Sequence, residues 1–465
     1  MILLPELFVV LSILVMVLLC GYVDAGRFIW ILLSGFLISL LAVVMNGQGI
    51  GELWRVDILT QTSQFLILLL SAWICYYGRN SLPKTSSPYV FILVTIATVG
   101  ALVVVSAQSW VLFYMGLELM ALPTYALCVV DKSHPTASEA GLKYFVMGVI
   151  ASIFILYGIS FIYLVSESMG YTSLVTSVIE TKWYLSIGAV FLLSGILFKF
   201  GVAPFHMWVP DVYESAPVLV VNWIAVVPKV AMMGGLVRIL AITELYKVPV
   251  VAQIFMVTAI VSIGYGVLMA IQQTNLRRLI GYASIAHMGF VMLPLQTASQ
   301  SGLTGAYIYL LGYVLITSAA FTVLVSLQKV GVENLTDLKG LAKRQPHEAY
   351  TLLLSLAAMA GIPPLVGFII KVNVLNELIT AGYIKSVIWA VSFVAISGYY
   401  YMSMVRHMFF MPSTMEDEEG FSQRKTEDYR VSTNYIALLW AVGLIGVGVL
   451  PQWFILHLGK VVSLV

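Results

Sequence analysis

The sequence predicts an all-α polytopic membrane protein with about 14 transmembrane helices, some of them broken, arranged in part as two inverted five-helix repeats. Of the 465 residues, 60% are hydrophobic and 10% are charged, which is far from the composition of a soluble domain. The apolar residues form stretches of about 20, enough for a helix to cross a hydrocarbon core of roughly 30 Å. Prolines lie near lysines inside these stretches and predict interrupted helices.

Each apolar stretch is expected to be an α-helix, because backbone groups in lipid must be hydrogen-bonded within the protein. A transmembrane β-barrel would instead show alternating segments of about 10 residues. The first stretch lacks the basic segment and cleavage site of a signal peptide, so we expect a retained helix. The predicted spans are residues 3–22, 28–46, 57–77, 89–107, 109–130, 141–165, 183–203, 218–242, 250–271, 277–297, 302–328, 349–378, 384–411 and 434–459.

The positions of charged residues inside the spans suggest a division into repeats. Spans four to eight contain Glu118, Lys199 and Lys229, and spans nine to thirteen contain His287 and Lys371. Each block has five spans, so the second would enter the membrane from the opposite side, as inverted repeats do. The expected parts are a three-helix segment at 1–88, a first repeat at 89–245, a second repeat at 246–411, and a cytoplasmic loop with a final helix at 412–465.

Prolines predict interruptions in three spans. Pro204 follows one embedded lysine by five residues, Pro228 directly precedes a second, and Pro363 and Pro364 precede a third. Proline removes a backbone donor and clashes with the preceding helical turn. Interrupted helices are tolerated at membrane depth where they are buried in protein or line a wet cavity.

The loops differ in charge. Most lysines and arginines lie in the odd-numbered loops, including a mixed-charge segment around 416–425. The positive-inside rule places these loops in the cytoplasm and both termini on the opposite side.

Four ionisable residues lie within apolar stretches: Glu118, Lys199, Lys229 and Lys371. Each costs about 2.5 to 3.5 kcal/mol at the centre of a membrane helix on insertion scales. The proton is the cargo that needs only titratable groups, so this set indicates proton transport. Alternatives remain for three of them: Glu118 as a protonated acid bonded to backbone, and Lys199 and Lys371 reaching a membrane surface. For Glu6 and Glu377, near span ends, an interfacial position is expected.

The charge of a buried lysine depends on its neighbours. Burial disfavours the protonated amine, and a carboxylate opposes this effect. At an effective dielectric constant of 20, a unit charge about 4 Å away contributes about 4 kcal/mol. We therefore hypothesise that movement of Glu118 towards or away from Lys199 loads or unloads the lysine with a proton.

Two histidines and two hydroxyl side chains are candidates for the same path. His287 is a candidate relay between the lysines of spans eight and twelve, because its ordinary pKa lies near neutrality. Tyr282 and Ser284 would continue a hydrogen-bonded path, and His206 is expected at the cytoplasmic mouth of the broken seventh span. The alternative for each histidine is a neutral buried ring bonded to a hydroxyl. Tyr399, Tyr400 and Tyr401 are interpreted as packing or interface residues.

Motifs for soluble cofactors are not found in the sequence. It contains no dinucleotide-binding G-x-G-x-x-G after a strand, no P-loop and no cysteine set for an iron–sulfur cluster. Cys20, Cys75 and Cys128 are far apart inside apolar spans, which favours a packing role. We expect no metal or cofactor in this chain, and any redox chemistry to occur in a partner.

Several segments resemble the antiporter-like membrane subunits of respiratory complex I. The segment from Phe198-Lys199 to Pro210-Asp211 is similar to their seventh-span signature, and Pro228-Lys229 to their eighth. Residues 275–287 and 360–371 resemble their tenth and twelfth spans, and Glu118 occupies the place of their fifth-span glutamate. The opening Leu4-Pro5-Glu6, residues 142–145 and the twelfth-span lysine fit one subunit type, and the absence of a long helix after the last span disfavours the largest.

The resemblance implies a proton channel. It has a Glu118–Lys199 pair, connecting residues Lys229 and His287, and an exit at Lys371. It also implies a non-redox subunit of the proton-translocating NADH–quinone oxidoreductase in the bacterial inner membrane, with both termini periplasmic. NADH, flavin, iron–sulfur clusters and quinone would belong to partner subunits. The expected partners are other membrane-arm subunits, including sister antiporter-like subunits, and the lipid bilayer, with no nucleic acid.

Local departures and two alternatives remain. Ile370, Val372 and Val218 replace residues usual in the family, which leaves packing and hydration near them open. One alternative is a subunit of a multisubunit cation/proton antiporter, which has no redox partner. The other is a scaffold whose charges only hold neighbouring subunits.

Overall fold

The computed structural model describes residues 4–20, 22, 25–81, 87–131, 136–171, 174, 182–412 and 429–463. This part of the chain folds into eighteen α-helices with short 3₁₀ turns and one small hairpin, Gly49–Ile50 paired with Arg55–Val56. The all-α prediction is confirmed. The predicted mixed-charge segment around 416–425 lies outside the described residues.

The first helices are α1 (Leu4–Leu19), α2 (Ala25–Met45), α3 (Ile58–Gly78), α4 (Ser87–Ser106), α5 (Trp110–Cys128), α6 (Ala137–Ser166), α7 (Lys182–Phe200), α8 (Trp208–Ser215) and α9 (Val218–Thr243). The others are α10 (Pro249–Ile271), α11 (Leu276–Met292), α12 (Gln300–Gln328), α13 (Leu341–Arg344), α14 (Pro346–Ala360), α15 (Val366–Thr380), α16 (Ile384–Phe409), α17 (Tyr429–Val449) and α18 (Pro451–Ser463).

Many of these helices could cross a membrane. Among the described residues, eleven are long and apolar enough, and the bent pair α17–α18, with segments at 81°, would make twelve. The helix α1 has 16 residues, and α14 and α15 have 15 each, so they fall short of a full span individually. Helices occur at every predicted span, and the count of fourteen stays a prediction.

Two of the three predicted interruptions are present. The helix α7 ends at Phe200 and α8 begins at Trp208, with Pro204 between them. The helix α14 ends at Ala360 and α15 begins at Val366, with two prolines between them.

The interruption predicted at Pro228 is wrong, because α9 continues through that residue. Proline removes one backbone hydrogen bond there. Almost every residue of α9 is buried against neighbouring helices, and this packing maintains the helix in spite of the lost bond.

Side-chain caps explain where several helices begin. Asp57 accepts from the backbone of Thr60 at the start of α3, and Ser109 accepts from Leu112 N at the start of α5. Asn275 caps α11 and Ser299 caps α12 in the same way. These caps satisfy backbone donors that the first helical turn leaves free, and so they fix the level at which each helix starts.

The interior is formed by α9, α11 and α12, which are buried along nearly their whole length. The helix α9 packs against α12, α3 and α4, and α12 also packs against α14 and α15. The outer helices, such as α2, α6 and α16, expose many large apolar side chains. This arrangement surrounds the polar residues of the inner helices with protein and leaves apolar faces for lipid or other subunits.

Candidate functional site

Glu118 marks one end of the candidate site. It is the ninth of the 19 residues of α5, midway along this helix, and it is half-buried. Its Oε1 accepts a hydrogen bond from Ser152 Oγ on α6. Ser152 also donates to the Gly148 carbonyl at 3.1 Å. The carboxyl group is therefore held by a hydroxyl from the neighbouring helix, and not by backbone alone.

Lys199, near the end of α7, is buried, with 7% of its surface exposed. Its Nζ donates to the Tyr125 hydroxyl at 3.0 Å. Tyr125 follows Glu118 by seven residues on α5, which places both on one face of that helix. Glu118 and Lys199 are both described, and they form no ion pair within 4.0 Å. The Glu118–Lys199 pair implied by the resemblance is therefore not a direct ion pair in this structure, and the amine is bonded to Tyr125 instead.

Lys229 lies in the middle of α9 and is 2% exposed. Its amine donates to Ser284 Oγ at 2.7 Å and to the Tyr313 hydroxyl at 3.0 Å. These two hydroxyls also lie 2.9 Å apart. Lysine, serine and tyrosine thus form a closed triangle between α9, α11 and α12, in which a proton can pass from any member to another.

His287, on α11, is held through both ring nitrogens. Nδ1 lies 2.9 Å from the Tyr309 hydroxyl, and Nε2 lies 3.3 Å from the Tyr401 hydroxyl. Its ring centroid is 5.5 Å from that of Tyr313, which contacts Lys229. The tautomer decides which nitrogen donates and which accepts. The side chain lies directly beside the lysine triangle, as the interpretation as a relay requires.

Lys371, on α15, is bound at the break between α14 and α15. Its Nζ donates to the carbonyl oxygens of Met359 at 2.7 Å and of Ala360 at 3.1 Å. The last carbonyls of a helix have no partner within it and carry partial negative charge, so they suit an ammonium group. Gly361 follows with φ +89° and lies against the lysine side chain. The amine is buried in protein and does not extend to a surface.

A cavity joins the last two members of the set. His287 and Lys371 both line it, together with Ser397 and Tyr400. The rest of its lining is mainly apolar and aromatic. The two ionisable groups therefore face one common space, although no hydrogen bond links them directly.

His206 and Tyr282 lie in a different cluster. The His206 ring centroid is 4.4 Å from that of Tyr265, which is 6.3 Å from that of Tyr282. Tyr282 also lies beside Arg278, whose guanidinium carbon is 6.0 Å from the ring centroid. The structure brings Ser284 to Lys229, and it places Tyr282 with His206 beside the break after α7.

Charged side chains connect three helices near this second cluster. Arg278 on α11 pairs with Asp211 at 3.0 Å and Glu214 at 2.6 Å, both on α8. Lys143 on α6 also pairs with Asp211, at 3.0 Å. The network fixes α8, and so the end of the break, against the helices that carry Ser152 and Ser284.

Sequence reasoning missed five hydroxyl side chains of the site: Tyr125, Ser152, Tyr309, Tyr313 and Tyr401. Spacing could have indicated three of them, because Tyr125 follows Glu118 by two helical turns and Tyr309 and Tyr313 are one turn apart. Tyr401, interpreted from the sequence as a packing residue, is buried against Tyr400, and its hydroxyl also lies 3.3 Å from His287 Nε2. Ser152 contacts Glu118 from a different helix, and residue spacing along the sequence does not reveal contacts of this kind.

Comparison with known proteins gives consistent matches. Residues 107–398 match the model of the family described as NADH:quinone oxidoreductase/Mrp antiporter, transmembrane. A similar relative is NADH-quinone oxidoreductase subunit N of Ruthia magnifica subsp. Calyptogena magnifica, 34% identical over 97% of this chain and 95% of the relative.

Solved structures show the same fold. A chain of respiratory complex I from Thermus thermophilus superimposes with a TM-score of 0.82 and 26% identity, covering 97% of this chain and 98% of that one. A chain of the Mrp complex from Dietzia sp. DQ12-45-1b superimposes with a TM-score of 0.85. Its identity is 19%, over 99% of this chain and 96% of that one, so this likeness concerns the fold alone.

Proposed function

This chain belongs to the NADH:quinone oxidoreductase/Mrp antiporter transmembrane family, and from that membership we propose that it is a proton-translocating membrane-arm subunit of NADH–quinone oxidoreductase. It is a multi-pass membrane protein. Similar relatives are named NADH-quinone oxidoreductase subunit N, in agreement with the sequence motifs. Electron transfer from NADH to quinone would take place in other subunits, and this chain would contribute the movement of protons.

One observation carries this proposal: five ionisable groups on α5, α7, α9, α11 and α15 are each bound by hydroxyl or carbonyl oxygens inside the bundle. In sequence order these are Glu118 with Ser152, Lys199 with Tyr125, Lys229 with Ser284 and Tyr313, His287, and Lys371. The three lysine amines are buried, and each is bound to an uncharged oxygen. A lysine held in this way can release its proton without leaving a carboxylate partner unpaired.

The switching step is a change in charge near Lys199. The Lys199 amine donates to the Tyr125 hydroxyl and forms no ion pair with Glu118, so the carboxylate acts on the amine without direct contact. Approach of the two charges favours the protonated lysine, and separation favours release. A proton released there would pass towards Lys229, then by way of His287 to Lys371, where the relay is proposed to end.

The two breaks support a division of the chain into repeats. Each proposed repeat has five members, and the fourth member is the interrupted one in both. The first repeat runs α4, α5, α6, α7–α8, α9, and the second runs α10, α11, α12, α14–α15, α16. This pattern supports the proposed boundaries at 89–245 and 246–411. We further propose the bacterial inner membrane as the location, with both termini periplasmic.

Among the described residues, no group of three or more His, Cys, Asp or Glu side chains could hold a metal ion. We propose that NADH, flavin, iron–sulfur clusters and quinone bind to partner subunits. The partners would be other membrane-arm subunits, including sister antiporter-like subunits.

Purification of the tagged chain in mild detergent, with identification of the co-purifying proteins, tests the assignment. Dehydrogenase and iron–sulfur subunits are the expected partners. Recovery of only small membrane subunits would instead support a cation/proton antiporter, which the family description also includes.

A scaffold role is tested separately with Glu118→Gln and Lys199→Ala. We expect the complex to assemble and oxidise NADH while proton pumping into vesicles falls, because these groups lie within the bundle. Loss of assembly with unchanged pumping in the remaining complex would contradict the proposed role.

A further inference from the structure

A buried carboxyl group lies outside the relay, where the first helices meet the rest of the protein. Glu6, in the first turn of α1, is buried in protein, with 5% of its surface exposed. Its Oε1 accepts from Gln64 Nε2 on α3 at 2.7 Å and from Ser106 Oγ on α4 at 3.4 Å. Its Oε2 is buried and has no hydrogen-bond partner among the described residues.

The groups that face this carboxyl group are uncharged. Ser39 on α2 donates to the Pro5 carbonyl at 3.0 Å, and Gln64 and Ser106 are the polar neighbours on α3 and α4. In the described ranges, no Lys, Arg or His nitrogen lies within 4.0 Å of the Glu6 oxygens. An unpaired buried carboxylate is costly, and such a group responds by changing its protonation state.

Polar side chains continue from Gln64 to the end of the bundle along one face of α3. Thr60 lies one turn before Gln64, and both are buried. Thr60 Oγ1 and Asp57 Oδ1 each accept from Arg238 Nη2 at 2.7 Å. Arg55 pairs with the other Asp57 oxygen at 2.9 Å, and both of these side chains are partly exposed. The distance along α3 from its start to Gln64 is about 9 Å.

Arg238 connects this path with the relay. It is fully buried near the end of α9, the helix that contains Lys229, and its Nε has no hydrogen-bond partner in the described part of the chain. Arg55, Asp57 and Arg238 together have a net charge of one positive charge. A deprotonated Glu6 would bring the summed charge of Glu6, Asp57, Arg55 and Arg238 to zero, whereas a protonated Glu6 would leave it at one positive charge.

We propose that Glu6, Gln64, Thr60, Asp57 and Arg238 form a second proton-binding site, in which Glu6 takes up and releases a proton through the end of the bundle at Arg55 and Asp57. Gln64 and Thr60 are the polar groups between the carboxyl group and that opening. The site uses Glu6 on α1, side chains at the start of α3, and Arg238 on α9, and it shares no side chain with the relay through Lys229. It can therefore be tested independently of the proposed function.

Infrared difference spectroscopy of the purified complex after a step in pH tests the proposal. The wild type is expected to show the C=O stretching band of a protonated carboxyl group, and Glu6→Gln is expected to lose it. Ser39→Ala, which changes an uncharged neighbour in the same place, is the matched control and should keep the band. Wild-type and Glu6→Gln spectra that are identical would overturn the proposal.

A second pair of variants keeps the carboxyl group and alters its surroundings. Gln64→Leu removes the donor at 2.7 Å, so the Glu6 band should shift in frequency. Thr60→Val interrupts the path, so deuterium should reach the band more slowly than in the wild type. Unchanged frequency and exchange in these variants would contradict the site, even if Glu6→Gln does not assemble. A Lys229→Ala complex that loses pumping but keeps the band would separate this site from the relay.

Discussion

Tyr313 orients Lys229, and its hydroxyl is the feature of the residue that matters for transport. It bonds both the lysine amine and Ser284, so it limits the positions that the ammonium group can take. Tyr307, six residues earlier on the same helix, has a hydroxyl bonded to Ser63 at 2.9 Å and outside the relay. The two tyrosines have similar burial and different partners, and they make a matched pair for mutagenesis.

We predict that Tyr313→Phe slows proton pumping by about tenfold or more, since a hydrogen bond to a charged group contributes about 1.5–3 kcal/mol. Tyr307→Phe should pump at the wild-type rate. The measurement is the initial rate of pH change in vesicles, normalised to NADH oxidation. Equal rates in the two variants would show that the Tyr313 hydroxyl does not take part.

The same reasoning applies to Tyr125, whose hydroxyl accepts from the Lys199 amine at 3.0 Å. Tyr125→Phe removes the acceptor of the Lys199 amine and should lower the pumping rate without loss of assembly. The comparison is with Phe145→Leu, an apolar change beside the same ring. A larger loss of pumping in Phe145→Leu than in Tyr125→Phe would contradict a polar role for the hydroxyl.

At the scale of elements, the broken helices bring backbone groups to the lysines. The end of α14 offers two carbonyl oxygens to Lys371, which a continuous helix would use for its own hydrogen bonds. Gly361 makes this ending possible, since its φ of +89° is one that side chains with a Cβ rarely adopt. A Cβ at this position would lie 3.1 Å from Lys371 Cδ.

We predict that Gly361→Ala destabilises the protein by about 1–2 kcal/mol and lowers pumping, because it strains the backbone and displaces the lysine. Gly382→Ala is the matched control: its φ is +83°, and a Cβ there meets nothing within 4 Å. Both variants should lose similar thermal stability, and only Gly361→Ala should lose pumping. Equal pumping in both would mean that the position of Lys371 is unaffected.

At the scale of the whole molecule, polar groups are concentrated on inner helices and apolar side chains on the outer ones. This is the opposite of the pattern in a soluble protein, and it follows from the absence of water around the outer helices. The orientation of the bundle in the membrane is a separate property, which the distribution of lysine and arginine in the loops predicts.

We predict that a cysteine at Tyr22 is labelled from the cytoplasmic side by a membrane-impermeant maleimide, and one at Gln48 from the periplasmic side. Both positions are exposed and lie at opposite ends of α2. The labelling is compared in right-side-out and inverted vesicles, in a background in which Cys20 is serine. The reverse pattern would show that the positive-inside rule fails for this protein.

The sequence alone determined the fold class, the approximate helices, the identities of Glu118, Lys199, Lys229, His287 and Lys371, and two of the three breaks. Apolar length and the cost of buried charge are local properties, so they can be read along the chain. Only the tertiary structure decided that Lys199 is bonded to Tyr125 and not to Glu118, that α9 continues through Pro228, and that Glu6 is buried. Each of these depends on side chains from helices distant in the sequence, and their packing has no periodic signature.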